Sequence, residues 1–137
     1  MKTKHLISTP TAVAAILQAF LGVCVGGLGV LGLLEGAASA VPHWDFDDFW
    51  SALYAAVGIA EVLLALPLAL GVSRARGFSI ALLLLNLILP SVYIGRAYFQ
   101  GYLHGSESSF LLLLVALPGS LGALVLLRHS RTPLAAA

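Results

Sequence analysis

The sequence predicts an all-α integral membrane protein, a bundle of four transmembrane helices with both termini on the cytoplasmic side. Three observations carry that expectation. Of 137 residues, 60% are hydrophobic and only 9% are charged, against roughly 25% charged in a soluble domain, and the mean hydropathy is +1.01. Such a chain cannot cover itself with polar surface. Its apolar residues form four blocks, about 11–34, 49–72, 78–95 and 110–127. Each is long enough to cross a hydrocarbon layer of about 30 Å as a helix rising about 1.5 Å per residue. The basic residues, finally, fall on one side of those blocks: Lys2 and Lys4 before the first, Arg74 and Arg76 between the second and third, Arg128 and Arg131 after the fourth. Arg96 alone lies on the other side, so the rich side is expected to be cytoplasmic.

Span one, 11–34, competes with a secretory signal peptide, because Ala37-Ala38-Ser39-Ala40 suits a small-residue cleavage site. Its apolar run exceeds the roughly 7–15 residues of a signal h-region, and it is read as a span. Gly22, Gly26 and Gly29 recur along it at helical spacing, continued by Gly36. Gly22-x-x-x-Gly26 matches the small-xxx-small pattern that lets two backbones approach, either inside the bundle or at a homodimer face. Leucine at Gly26 is expected to force backbones apart, and the same change at Val25, off the row, to be tolerated. The single cysteine, Cys24, excludes an intrachain disulfide and a Cys-rich metal site.

The outer loop, 35–48, carries Glu35, Asp45, Asp47 and Asp48 and introduces an aromatic group comprising Trp44, Phe46, Phe49, Trp50, Tyr98, Phe99, Tyr102 and Phe110. Amphipathic rings favour the headgroup level, so these residues are expected to mark the outer interface. His43, Asp45, Asp47, His104 and Glu107 share that side, but their spacings match no metal rule, and the acids also serve as solvated surface and helix N-caps. No metal is assigned.

Span two, 49–72, contains Ala52, Ala56 and Ala60, a second small row expected to receive the first. It also contains Glu61, one carboxylate inside the apolar stretch Gly58–Pro67. A tight turn over Ser73–Gly77 then makes spans two and three an antiparallel hairpin. Folding it near Ala75 sets Glu61 and Asn86 at similar depth, where they are candidate partners. Gln100–Ser109 links span three, 78–95, to span four, 110–127. Gln18, Ser120 and Tyr93 are expected to complete an internal polar cluster. Pro67, Pro90 and Pro118 each release a backbone carbonyl within a span.

An ionised acid in mid-bilayer costs at least about 2.5–3.5 kcal/mol, so Glu61 is expected to face the bundle interior. Two roles stay open for Glu61, Asn86, Tyr93, Gln18 and Ser120: a hydrogen-bonded lock between helices, or the wall of a ligand cavity. None of the four histidines, His5, His43, His104 and His129, falls in mid-span, so paired haem ligation has no candidates and no cofactor is expected. The sequence has no phosphate-binding glycine loop, nucleophile elbow or basic nucleic-acid patch.

Gly58-x-x-Glu61, then Leu66, Leu68, Leu70-Gly71 and Arg74 leading into the Leu-rich third span, resembles the second-to-third helix region of the DoxX-like family of small four-helix membrane proteins. Glu107, opening span four before Leu111–Val115, is similar to that family's last helix, and the resemblance runs in outline over Ala55–Leu127. The chain departs from the pattern at Glu35, where such proteins often carry a basic residue, and at Val62-Leu63, where Gly-Gly is usual. The resemblance implies a membrane subunit linked to quinone or thiol redox complexes in a bacterial plasma membrane. Two functions are therefore compatible with the chain. One is a non-catalytic membrane subunit docking a redox or transport partner, or a second copy of itself. The other is a binder or carrier of a small hydrophobic molecule, a quinone or a lipid, beside Glu61.

Overall fold

A computed structural model describes residues 9–38, 46–99 and 107–130. They form four helices: α1 over Thr9–Ala37, α2 over Phe46–Ala69, α3 over Ser73–Phe99 and α4 over Glu107–His129. No strand occurs among the described residues. Each helix packs against its neighbours in chain order, and α4 closes the ring on α1. The result is an up-down-up-down bundle. One end gathers the start of α1, the α2–α3 turn and the end of α4, and carries Arg74, Arg76 and Arg128. The other end carries Glu35, Asp47, Asp48 and Arg96.

Polarity runs opposite to that of a water-soluble bundle. Gln18, Glu61, Ser79, Asn86 and Ser120 are buried, whereas Ile16, Phe20, Val23, Leu63, Leu66, Phe78, Ile88 and Leu114 are more than half exposed. An apolar exterior around polar residues is stable in lipid and unstable in water. The segments Thr9–Ala37, Asp47–Ala69 and Ser73–Arg96 are long and apolar enough to cross a membrane, and α4 is apolar over Leu114–His129. The architecture is consistent with an integral membrane protein.

The helix boundaries depart from those expected. Gly71, at φ 76°, ends α2 in a left-handed position that glycine adopts without a Cβ penalty. The amide of Val72 donates to Pro67 O at 3.0 Å and that of Gly71 to Leu68 O at 2.9 Å. This pair of bonds is the Schellman motif, which satisfies the last carbonyls of a helix. The turn is therefore Leu70–Val72, and Ser73–Gly77, expected to be the turn, is the opening of α3. All three prolines are accommodated inside helices.

Close packing of α1 on α2 follows from the glycine row. A Cβ at Gly22 would stand 2.7 Å from Gly58 O, one at Gly29 would stand 2.6 Å from Ser51 O, and one at Gly58 would collide with the backbone of Gly26. The row thus packs inside the bundle. Its receiving surface is Ser51, Ala55, Gly58 and Val62 rather than the expected Ala52, Ala56 and Ala60, because Gly58 sets the phase at which the two backbones come closest. Ala56 is exposed. Val25, expected to tolerate leucine, is only 1% exposed and belongs to the core. On α1 the glycine without neighbours is Gly27, where an added Cβ meets nothing within 4 Å.

Candidate functional site

Two apolar clusters divide the interior. Ala14, Leu21, Leu68, Ala75, Leu83, Ala123 and Leu127 fill the arginine end, and Val25, Trp50, Tyr54, Val57, Leu89 and Ala116 fill the acidic end. Each helix contributes one buried polar residue between them. Glu61 lies between Val57 and Leu68 on α2, Asn86 between Leu83 and Leu89 on α3, and Ser120 between Ala116 and Ala123 on α4. Gln18 on α1 is flanked by Ala14 and Leu21 of the arginine-end cluster and joins the other three through its hydrogen bond to Glu61 O. Four helices therefore supply a polar layer of Gln18, Glu61, Asn86 and Ser120 across an apolar bundle.

The centre of this layer is a bond of 2.7 Å from Asn86 Nδ2 to Glu61 Oε1, and Gln18 Nε2 donates to Glu61 O at 3.3 Å. The expected partnership of Glu61 and Asn86 is thus present, although its geometric premise changes. About the true bend at Gly71 the two residues lie ten and fifteen positions away, an axial offset of about 7.5 Å. Side chains lean toward the N-terminus of their own helix. In this antiparallel pair Glu61 leans away from the bend and Asn86 toward it, which helps to close the offset.

The layer is buried yet incompletely satisfied. Gln18 Oε1, Glu61 Oε2, Asn86 Oδ1 and Ser120 Oγ have no hydrogen-bond partner within the protein, and all four residues are at most 1% exposed. A buried polar atom left unpaired costs about 1–3 kcal/mol, so such atoms normally meet protein, water or ligand. Two of the four are amide oxygens, which only accept, whereas Glu61 Oε2 accepts when the carboxyl is ionised and donates when it is protonated, and the Ser120 hydroxyl does both. Pro90 adds to the imbalance: the carbonyl four residues before it, which its missing N–H would have bonded, is that of Asn86 itself. The group chemically matched to this layer is a hydrogen-bond donor.

Tyr93 does not join the layer. Its hydroxyl donates to Asp47 Oδ1 at 3.1 Å and its ring stands 5.9 Å from that of Trp50, edge to face. Trp50 is buried against Tyr54 and Tyr93, whereas Phe49, Tyr98 and Phe99 are exposed. Of the expected interfacial belt, Trp50 is thus withdrawn into the interior beside Tyr54 and the half-buried Tyr93, while Phe49, Tyr98 and Phe99 remain outside; Trp44 and Tyr102 lie outside the described residues. Of the outer-side residues weighed as metal ligands, His43, Asp45 and His104 lie outside the described residues. Ser79 is absent from the expected polar cluster. Fully buried among the arginine-end apolar residues, it too has an unpartnered hydroxyl. The helical stripe running back from Asn86 through Leu83 to Ser79 and Ala75 is the signal in the sequence that points to it.

Comparison with protein-family models, with curated proteins and with solved structures found no match for this chain.

Proposed function

We propose that this chain is a four-span membrane protein, both termini cytoplasmic, whose polar layer binds a small hydrophobic molecule through a hydrogen-bond donor. A quinol or another lipid-soluble alcohol fits that description better than a quinone, whose carbonyls only accept. The observation that supports this reading is the set of unpartnered acceptors beside the Glu61–Asn86 bond. A plain helix lock needs that one bond and no surplus acceptors, whereas a binding layer needs acceptors held open. The carboxyl of Glu61 can also exchange a proton with such an occupant, which makes proton-linked carriage the natural consequence. The DoxX-like resemblance, carried by Gly58, Glu61 and Arg74, agrees with a quinone-pool ligand in a bacterial plasma membrane.

The docking-subunit reading has less support. Its recruiting surfaces are the glycine face and the outer loop; α2 occupies the glycine row, and residues 39–45 of the loop lie outside the described residues. What remains facing lipid is a shallow apolar groove of about 530 Å³ floored by Gly22, Gly26, Gly27 and Gly58.

Glu61→Gln tests the proposal. Gln still accepts from Asn86 through its oxygen but puts a fixed N–H donor in place of Oε2, which in the wild type accepts when the carboxyl is ionised and can exchange a proton. The variant is expected to retain wild-type stability while losing co-purifying hydrophobic molecules, scored by mass spectrometry of lipid extracts and by retention of an added ubiquinol analogue. Undiminished retention by the variant would refute the ligand role and leave Glu61 as scaffold.

A further inference from the structure

At the opposite level of the bundle, α3 and α4 enclose a second feature. Arg76 and Ile80 lie one turn apart on α3, and Leu124 and Arg128 lie one turn apart on α4. Together they line a cleft of about 500 Å³. The arginines form its rim at the helix ends, and the aliphatic pair lies one turn deeper toward the bundle centre. Arg76 is half-buried and is held in place by donating from Nη2 to the backbone oxygen of Leu127, in the last turn of α4. A guanidinium has five N–H donors, so this anchor leaves others for a ligand. Arg128 is exposed at the rim and Arg74 stands nearby in the first turn of α3. Among the described residues no carboxylate lies at this end, since Glu35, Asp47, Asp48 and Glu107 all belong to helix ends on the opposite side.

We infer that this cleft is a binding site for an anionic phospholipid, its phosphate held between Arg76 and Arg128 and an acyl chain lying along Ile80 and Leu124. The cleft is amphiphilic in the same order as the lipid, with cationic groups where the headgroup sits and aliphatic ones where the chain begins. Planar guanidinium groups suit phosphate oxygens, and Arg is more weakly hydrated than Lys, which favours it at a partly desolvated site. A free phosphate shares the rim chemistry but leaves the aliphatic floor unused. The inference rests on the membrane-spanning reading and not on any ligand at Glu61.

Native mass spectrometry of the full chain, purified from mixed micelles of equal phosphatidylglycerol and phosphatidylcholine, tests it. Wild type is expected to carry phosphatidylglycerol preferentially, and Arg128→Gln to lower that preference about fivefold, the share of one basic residue near an anionic surface. Arg96→Gln, at the far end, and Glu61→Gln, in the polar layer, are expected to leave it unchanged. Because Arg76 also anchors α4, Arg128 is the residue to change first. Equal binding of the two lipids by wild type would overturn the inference. So would an unaltered preference in Arg128→Gln, or displacement of phosphatidylglycerol by an equal concentration of inorganic phosphate.

Discussion

The Glu61–Asn86 bond can be weighed by a double-mutant cycle. Glu61→Leu removes the acceptor for Asn86 Nδ2, leaving an amide that is 1% exposed with no partner. Stranding it is expected to cost about 1–3 kcal/mol, reduced because the already unpartnered Glu61 Oε2 disappears as well. Asn86→Leu strands the second carboxyl oxygen in turn, at a similar expected cost of about 1–3 kcal/mol. In the double variant both polar groups are gone and the layer keeps only Gln18 and Ser120. Its loss is expected to fall short of the sum of the single losses by about 0.6–2 kcal/mol, the range for hydrogen bonds between membrane helices. Unfolding by SDS titration in mixed micelles, followed by circular dichroism, measures all four species. Additivity within about 0.5 kcal/mol, as for sites that do not touch, would refute the bond as a coupling element and with it the polar layer as a unit.

The glycine contact predicts a contrast between neighbours. Gly26→Leu should lower the unfolding midpoint because its Cβ would stand 3.3 Å from Gly58 Cα before the rest of the side chain is placed, whereas Gly27→Leu, with nothing within 4 Å, should not. Equal losses would remove the close-approach argument. Gly71→Ala should cost about 1–2 kcal/mol through the left-handed backbone at φ 76°, read in the same titration, and a neutral result would mean that the turn relaxes. The topology is checked by membrane-impermeant thiol labelling of Ser39→Cys and Ser130→Cys in a Cys24→Ser background. The two sites should react from opposite sides, and labelling of both from one side would refute the four-span arrangement.

Much of the arrangement is legible in the order of residues along the chain. Four apolar blocks yield four helices because a backbone in a low-dielectric setting must satisfy its own N–H and C=O groups, which a helix does locally. Block length and composition are local quantities, and so is the cost that sends Glu61 inward. The pairing of Glu61 with Asn86 is accessible in the same way, since a short hairpin leaves few depths at which two polar residues can meet. A bend near Ala75 gives the right pair for an incomplete reason, because side-chain lean closes the offset that the true bend creates. Gly71 is the residue that signals this bend, as a glycine closing a helical pattern two residues before Ser73.

Relative rotation of the helices lies beyond local pattern. Along α1 and α2 apolar residues occur on every face, so hydrophobic periodicity does not say which stripe points inward. The phase instead comes from where two backbones can approach, and this selects Ser51, Ala55 and Gly58 over Ala52, Ala56 and Ala60. That same phase buries Val25 and withdraws Trp50 from the interface, while the packing of α3 on α2 sets Tyr93 against Asp47. Solvent, helix number and the inward fate of one carboxylate follow from the chain alone, because each depends on residues close together in it. That Gln18, Glu61, Asn86 and Ser120 form one layer, and that its unpartnered atoms are chiefly acceptors, emerges only in the folded bundle. Four helices must first be set in mutual rotation and register, and that depends on contacts spread over the whole molecule.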